Sequence, residues 1–385
     1  MPSEPSQSIR IGILAGESSG DTLGAGLMRS VKARYPKAIF EGIGGPKMIA
    51  EGCHSFSDQE RLAVMGYVEP LKRLPELLGI RKKIREHFLS NPPDVFIGID
   101  SPSFNLPLER QFKEAGIKTV HYVSPQVWAW RQGRVKKIAN SVDLMLTLFP
   151  FEAKFYNDHD VPVTFVGHTL ADQLALDPDV SEARKALGLT NREQVIALLP
   201  GSRGSEVKLL APEFLAAAQL CIQKNPQFKF LIPAANKKRL VQLETILADF
   251  PELPVTLMLG RSHEIMCAAD AVMMASGTTT LEAMLLKKPM VVAYKFPALS
   301  YAILSRLIKT PHIALPNILA GKELVPEIIQ DDVSPELLSE KIMSYFEDEK
   351  KVNELKNEFL TIHKTLKQDA DKKAAAAVLN LIKTV

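Results

Sequence analysis

Short, β-rich apolar runs recur along the chain with a helical pattern between each and the next, and this alternation restricts the fold more than any other feature. In the first half the runs are Ile9–Ala15, Ala38–Ile43, Asp94–Ile99, Lys118–Val123, Leu144–Leu148 and Val163–Val166. A second series follows at Val195–Leu199, Lys229–Ile232, Val255–Met258, Ala271–Met274 and Met290–Ala293. Runs this apolar, separated by helices, predict parallel strands covered on both faces. The restart falls in "LALDPDVSEARKALGL", where Pro178 and acidic neighbours precede a fresh helix. A chain of 385 residues is long enough for two cores. The reading is therefore α/β, with two Rossmann-like, doubly wound parallel-sheet domains joined near residues 175–185. The first spans 1–175 and the second 186–345. A helical segment, alanine-rich in "DADKKAAAAVLNLI", follows at 346–385. Ligands of open α/β sheets collect at the carboxyl ends of strands, so the expected site is a cleft between the domains.

Composition removes several classes of function. Lys and Arg number 47 against 44 Asp and Glu, too mild an excess for a bulk nucleic-acid binder. Cys53, Cys221 and Cys267 are far apart and lack zinc-ligand spacing, so they read as buried thiols of a reducing compartment. The histidines form no metal-binding pattern, and neither a metal nor a cofactor is expected. The start "MPSEPSQSIR" has no apolar core and is not read as a secretory signal. No apolar stretch approaches the roughly 18 residues of a membrane-spanning helix. The expected location is cytoplasmic, with any membrane contact peripheral.

Four strand-end loops carry the chemistry. "GESSGD", with Gly16, Glu17, Ser19, Gly20 and Asp21, ends the first strand and opens a helix whose backbone N–H groups suit an anion. Its glycines do not match a dinucleotide fingerprint, and no GK[ST] follows. The plainer alternative is a turn in which Ser19 or Asp21 caps the helix. In "VFIGIDSPSFN", Asp100 ends a buried strand, where a carboxylate suits general-base work; the alternatives are an Asp that caps the helix after Asn105 or one that simply forms the turn. In "ALLPGSRGSEV", Gly201, Ser202 and Arg203 form a second anion cradle with a guanidinium that can fork onto phosphate or pair with Glu206. In "ASGTTTLEAM", Ser276, Gly277 and Thr278 again offer N–H groups at a helix start. Glu282 one turn later suits a ribose diol or, more simply, complements the helix dipole. Two anion cradles and a diol acceptor suggest a nucleoside diphosphate.

The strings "PGSR" and "SGTTTLE…KKPMVV" resemble the nucleotide domain of GT-B glycosyltransferases. The ordered series "AGESSGD", "GGPKM", "AVMGYVE", "HYVSPQVWAWRQGR", "FVGHTLAD", "LLPGSRGSE" and "LPNILAG" resembles the lipid-A-disaccharide synthase family over most of the chain. Gln126 and Ser18 depart from that pattern at positions given no chemical role. The resemblance implies a GT-B fold and inverting transfer of 2,3-diacylglucosamine from its UDP derivative to 2,3-diacylglucosamine 1-phosphate. The products are a β-1,6 disaccharide 1-phosphate and UDP. Asp100 would be the base, Arg203 and the loop N–H groups would meet the leaving charge, Glu282 would hold the ribose and Asn317 would touch sugar or pyrophosphate. The first loop then faces the 1-phosphate of the acceptor. The resemblance also implies a homodimer, in which the 346–385 segment crosses to the first domain or to a partner chain. Competing readings are a UDP-sugar epimerase on the same fold and a non-catalytic, membrane-associated nucleotide binder. "DHD" at Asp158–Asp160 and "DPD" at Asp177–Asp179 match a metal-holding DxD only in their letters, since both lie in polar connections.

Acylated substrates require an approach to a bilayer. In residues 62–89, Val64, Met65, Val68, Leu71, Leu74, Leu77 and Leu78 are interleaved with or followed by Lys72, Arg73, Arg81, Lys82, Lys83 and Arg85. An apolar wedge with a basic flank suits anionic headgroups, here those of the cytoplasmic face of the inner membrane. An ordinary surface helix is the alternative. Pro70 and Pro75 are expected to prevent one long helix. Residues 298–310 form a weaker second candidate, and Trp128 and Trp130 could be core anchors or face acyl chains.

Overall fold

The computed structural model describes residues 8–62, 69–129, 132–296 and 310–383. It divides into two compact units, residues 1–172 with 366–385 and residues 173–365. In the first, seven parallel strands run β1 (Arg10–Ala15), β2 (Ile39–Ile43), β3 (Cys53–Ser55), β4 (Val95–Ile99), β5 (Lys118–Tyr122), β6 (Leu144–Thr147) and β7 (Val163–Phe165). Their spatial order is β3-β2-β1-β4-β5-β6-β7. The second unit has β8 (Gln194–Leu199), β9 (Phe228–Ala234), β10 (Val255–Leu259), β11 (Ala271–Ala275), β12 (Met290–Tyr294) and β13 (Glu327–Ile329), in the order β10-β9-β8-β11-β12-β13. All pairings are parallel, and in each sheet the chain reverses its winding beside the first strand, between β1 and β4 and between β8 and β11. Both sheets are doubly wound, as the apolar runs predict. The sequence reading passes over β3 and β13, edge strands of three residues each, too short to display a pattern.

The central strands are buried throughout, β4 and β11 at every residue, which is why they read as continuous apolar runs. The last helix, Ala370–Lys383, belongs to the first unit, where Ala374, Ala375, Val378 and Leu379 join the core built on β1 and the Ser18–Lys32 helix. All three cysteines are buried thiols.

Glu69–Ser90 is one continuous helix, contrary to the expectation that two prolines would break it. Pro70 stands in the first turn, where no intrahelical N–H is needed, and Pro75 forfeits a single backbone bond. Leu77, Ile80, Ile84 and Phe88 recur at helical spacing and pack with Phe96, Leu108 and Phe112, which holds the helix together across that loss. Leu77 is thereby turned onto the core, so its assignment to a membrane face does not hold. Leu74 and Leu78 lie outward, 46% and 48% exposed. Val64, Met65, Val68, Trp130 and residues 298–309 lie outside the described residues, as does the side chain of Leu71.

Asp21 joins two segments of the first unit. Its buried carboxylate accepts backbone hydrogen bonds from Gly45, Lys47 and Met48, each 2.9 Å long, and so caps the Pro46–Ala50 helix. A charged acceptor is required there because three backbone donors converge on one buried point. Asp21→Ala leaves all three unpaired and should lower unfolding free energy by about 3 kcal/mol. Urea denaturation checks this; a loss below about 0.5 kcal/mol, the scale of an ordinary surface substitution, would contradict the capping role.

Candidate active site

In the first unit the two expected loops meet at the point where the sheet reverses its winding. A Cβ on Gly16 would lie 2.2 Å from Ser101 Oγ, so only glycine allows the turns after β1 and β4 to interlock. Gln59 secures the first turn by donating to the carbonyls of Ala15 (3.1 Å) and Glu17 (2.8 Å). Glu17 occupies the cap position of the Ser18–Lys32 helix without a side-chain cap bond, and Ser19 lies exposed inside that helix. Gly20 packs on Ala15 and Ile99. Neither Ser19 nor Asp21 caps this helix, because Ser19 is already helical and Asp21 caps another. Partial desolvation, reinforced by the nearby charge of Asp100, raises the Glu17 carboxyl above its usual range.

Asp100 and Ser101 follow β4 with φ of 53° and 45°, two successive left-handed residues without glycine. Such a turn is strained and persists only where its surroundings impose it. Here Asp100 N–H donates to the Tyr122 carbonyl at 2.8 Å, and the fully buried Asn105 donates its amide to the Asp100 carbonyl at 2.7 Å. The Asp100 carboxylate makes no hydrogen bond or ion pair among the described residues. The next helix, Pro102–Glu114, begins at Ser101 without a side-chain cap, so Asp100 is not its cap. Below this turn lies a pair absent from the sequence reading: His121 Nδ1 and Glu109 Oε1 are 2.7 Å apart and wholly buried. Burial raises the Glu109 carboxyl, opposed by His121. Sequence offers only a polar residue in an apolar strand as its signal.

In the second unit Gly201 has φ 115°, and a Cβ there would lie 2.5 Å from Glu206 Oε2. The N–H groups of Ser202 and Arg203 both donate to that oxygen at 3.1 Å, while Arg203 Nη1 meets Glu206 Oε1 at 2.9 Å. The expected anion cradle thus holds a carboxylate of its own chain. Arg203 remains 75% exposed, so its pairing is weak and open to exchange for a stronger anion. Tyr294 adjoins the pair; burial first, then Glu206, raises its hydroxyl.

At the end of β11, Ser276 N–H donates to the Ala293 carbonyl (3.1 Å) and its hydroxyl to that of Ile313 (2.9 Å). Gly277 faces open space and Thr278 precedes the Thr279–Leu285 helix. Glu282 lies 2.8 Å from His263 Nδ1, a partner that sequence reasoning missed because it comes from the Ser262–Ala268 helix that follows β10. Asn317 differs from expectation. It is fully buried, donates to Val325 O and Glu327 Oε1 (2.9 and 2.8 Å), and accepts from Leu324 and Val325 N–H (2.7 and 3.0 Å). With its amide saturated, it organises the loop before β13 and presents nothing to a ligand. Asp158 pairs with Lys154, and Asp179 caps the Val180–Ala186 helix, which accounts for one member of each DxD string.

Beyond β6, the buried Glu152 accepts from Phe149 N–H at 3.2 Å. Burial pushes its carboxyl up to about 8, with neighbouring N–H and hydroxyl donors pulling the other way. Burial pushes His168, after β7, down to about 4, opposed by Asp172. His168 is therefore neutral at pH 7, and Glu152 is displaced toward its protonated form. Folded Glu152 holds its proton more tightly than the unfolded chain, so its contribution is complete below its ordinary value of 4.5 and is lost as pH rises through about 8. Unfolding free energy measured from pH 5 to 9 should therefore decline more steeply for the native chain than for Glu152→Gln; parallel curves would contradict this.

The family model for lipid-A-disaccharide synthetase matches residues 11–381. Relatives described as lipid-A-disaccharide synthase include those of Cellvibrio japonicus (56% identical, 97% of this chain and 98% of the relative) and Saccharophagus degradans (55%, 97% and 97%). That of Pseudomonas aeruginosa is 51% identical over 97% and 98%. Among solved structures, the calicheamicin glycosyltransferase CalG4 superposes with a TM-score of 0.62 at 14% identity, covering 98% of this chain and 99% of its own. The UDP-GlcNAc 2-epimerase of Neisseria meningitidis bound to UDP-GlcNAc gives 0.60 at 12%, covering 98% and 100%. At these identities the solved structures speak to fold alone, and that fold is GT-B. The family match spans nearly all of the sequence and the curated relatives exceed half identity, so the chain belongs to the lipid-A-disaccharide synthase family.

Proposed function

We propose that lipid A disaccharide synthesis, the activity of this glycosyltransferase family, runs in this chain as a single inverting displacement with Asp100 as the base. The observation that carries the reading is a carboxylate without a partner among the described residues, on a strained turn at the sheet's reversal point. Strain of this kind gathers where a side chain must be held in one orientation. The acceptor, 2,3-diacylglucosamine 1-phosphate, offers its 6-hydroxyl to the anomeric carbon of UDP-2,3-diacylglucosamine. The oxygen–carbon bond forms on the face opposite UDP, the hydroxyl proton passes to Asp100, and the bond from the anomeric carbon to the phosphate oxygen breaks with its electron pair leaving on that oxygen of UDP. One displacement requires one base and inverts the configuration.

Charge growing on UDP is met by Arg203 and the N–H groups of Ser202 and Arg203, which exchange Glu206 for the pyrophosphate. The open backbone at Gly277 and Thr278 supplies further donors. Glu282, oriented by His263, accepts from the ribose hydroxyls. The interlocked Gly16–Gly20 turn lies beside Asp100 and takes the acceptor's 1-phosphate at the N-terminus of the Ser18–Lys32 helix. Asp21 and Asn317 support these loops from within.

Asp100→Asn should lower kcat by roughly 10²–10⁴ with little change in either KM, whereas Glu282→Gln should chiefly raise the KM for the donor. Steady-state kinetics with each substrate varied checks both; full turnover in Asp100→Asn would remove the base assignment.

Among the described residues no helix is long and apolar enough to cross a membrane. The protein reaches its acylated substrates peripherally, at the cytoplasmic face of the inner membrane, through the outward Leu74 and Leu78 and the cations around them. These two leucines are four residues apart on one helix face, with Arg73, Arg81, Lys82, Lys83 and Arg85 nearby in sequence. Replacing both leucines by serine should reduce sedimentation with anionic vesicles several-fold while leaving thermal stability near that of the native chain. Unchanged sedimentation would retire this contact.

A further inference from the structure

At the carboxyl edge of β5, β6 and β7, four rings form a row. Trp128 meets Phe151 edge-on with centroids 4.7 Å apart. Phe151 stacks on Phe149 at 5.6 Å and 8° between planes, and Phe149 stacks on His168 at 5.7 Å and 28°. They come from three consecutive strand-end segments, and each residue is partly exposed. Phe149 rests against the core cluster that includes Tyr122 and Leu146. The Trp128 Nε1 is buried, which leaves hydrocarbon at the indole's accessible part. His168 Nδ1 accepts from Leu170 N–H at 3.1 Å.

We propose that this row is a ledge on which one acyl chain of the sugar acceptor lies. The inference rests on the reading of Asp100 as the base, because that reading places the acceptor on the first unit. Three features select a chain over other ligands. A pyranose or a nucleobase covers about one ring, whereas four rings in succession suit something long and thin. The titratable ring of the four, His168, is pushed down to about 4 by burial, so the rings carry no charge at pH 7. Its location is also suitable. β5 pairs directly with β4, and Asp100 N–H bonds to Tyr122 O on β5, so the ledge begins one strand away from the base. An acceptor with its 6-hydroxyl at Asp100 can lay a chain across β5–β7.

Two measurements test the ledge. The first compares kcat/KM for a long-chain acceptor with that for an otherwise identical acetylated acceptor, the donor held constant. In Phe151→Ser the long-to-short ratio should fall about tenfold, the scale of losing contact with one or two methylenes, and Phe151→Leu should restore most of it. A ratio equal to the native one, or a fall that appears only when the donor chain is varied, would overturn the proposal. The second measurement needs no catalysis. In Trp130→Phe, Trp128 is the only indole left of the two in the sequence, and an acceptor with a brominated chain should quench its fluorescence while the unbrominated acceptor does not. Absence of quenching at saturating acceptor would overturn the proposal even if Phe151→Ser fails to fold. Failure of the native chain to form any disaccharide would instead count against the catalytic reading, with the quenching result still deciding the ledge.

Discussion

The close approach of Gly16 to Ser101 is the constraint on which the rest of the first unit's site depends. Because no Cβ fits between them, the turn after β1 and the turn after β4 are locked edge to edge. That lock, together with the Asn105 amide and the bond from Asp100 N–H to Tyr122 O, holds two consecutive non-glycine residues in the left-handed region. The conformational cost is met by buried hydrogen bonds on either side of the turn, and what it secures is the direction of a single carboxylate. Under the proposed role of Asp100, a carboxylate fixed before substrate arrives need not be ordered during the reaction, and such preorganisation is a large part of what catalytic groups contribute.

The second unit solves a different problem with related parts. Its strand-end glycine, Gly201, also has no room for a side chain, but here the neighbour is Glu206, whose carboxylate fills the nest of N–H groups from within. An internal carboxylate satisfies donors that would otherwise face solvent, and with Arg203 largely exposed its ion pair is weak. The first unit thus holds a strained turn in place, whereas the second fills its nest of N–H groups with a carboxylate of its own.

Much of this was legible in the sequence, for reasons of length and period. Buried parallel strands such as "VFIGI" and "AVMMA" announce themselves as unbroken apolar runs, and the loops that end them name the site. The Arg203–Glu206 pairing was visible as an alternative because its residues are three apart. Interactions across sequence distance were not. Asp21 sits in a glycine-serine turn and reads as part of an anion site, yet its partners, Gly45, Lys47 and Met48, lie on another segment. Asn317 reads as a polar contact in "LPNILAG", whereas its amide is saturated by its own loop. His121 and Glu109 are ordinary letters until β5 and the Pro102–Glu114 helix bring them together. Leu77 and Leu78 are indistinguishable by composition; the helical turn sends one to the core and leaves the other outside.

The central claim is that this chain joins two acylated glucosamines by one displacement at the donor's anomeric carbon. Its most direct test is to incubate the purified protein with UDP-2,3-diacylglucosamine and 2,3-diacylglucosamine 1-phosphate and to determine the products by mass and by the proton coupling at the new anomeric centre. The account predicts one UDP released for each disaccharide 1-phosphate and a β-1,6 linkage throughout. An α linkage, which would require two displacements, or UDP release without disaccharide, would contradict it.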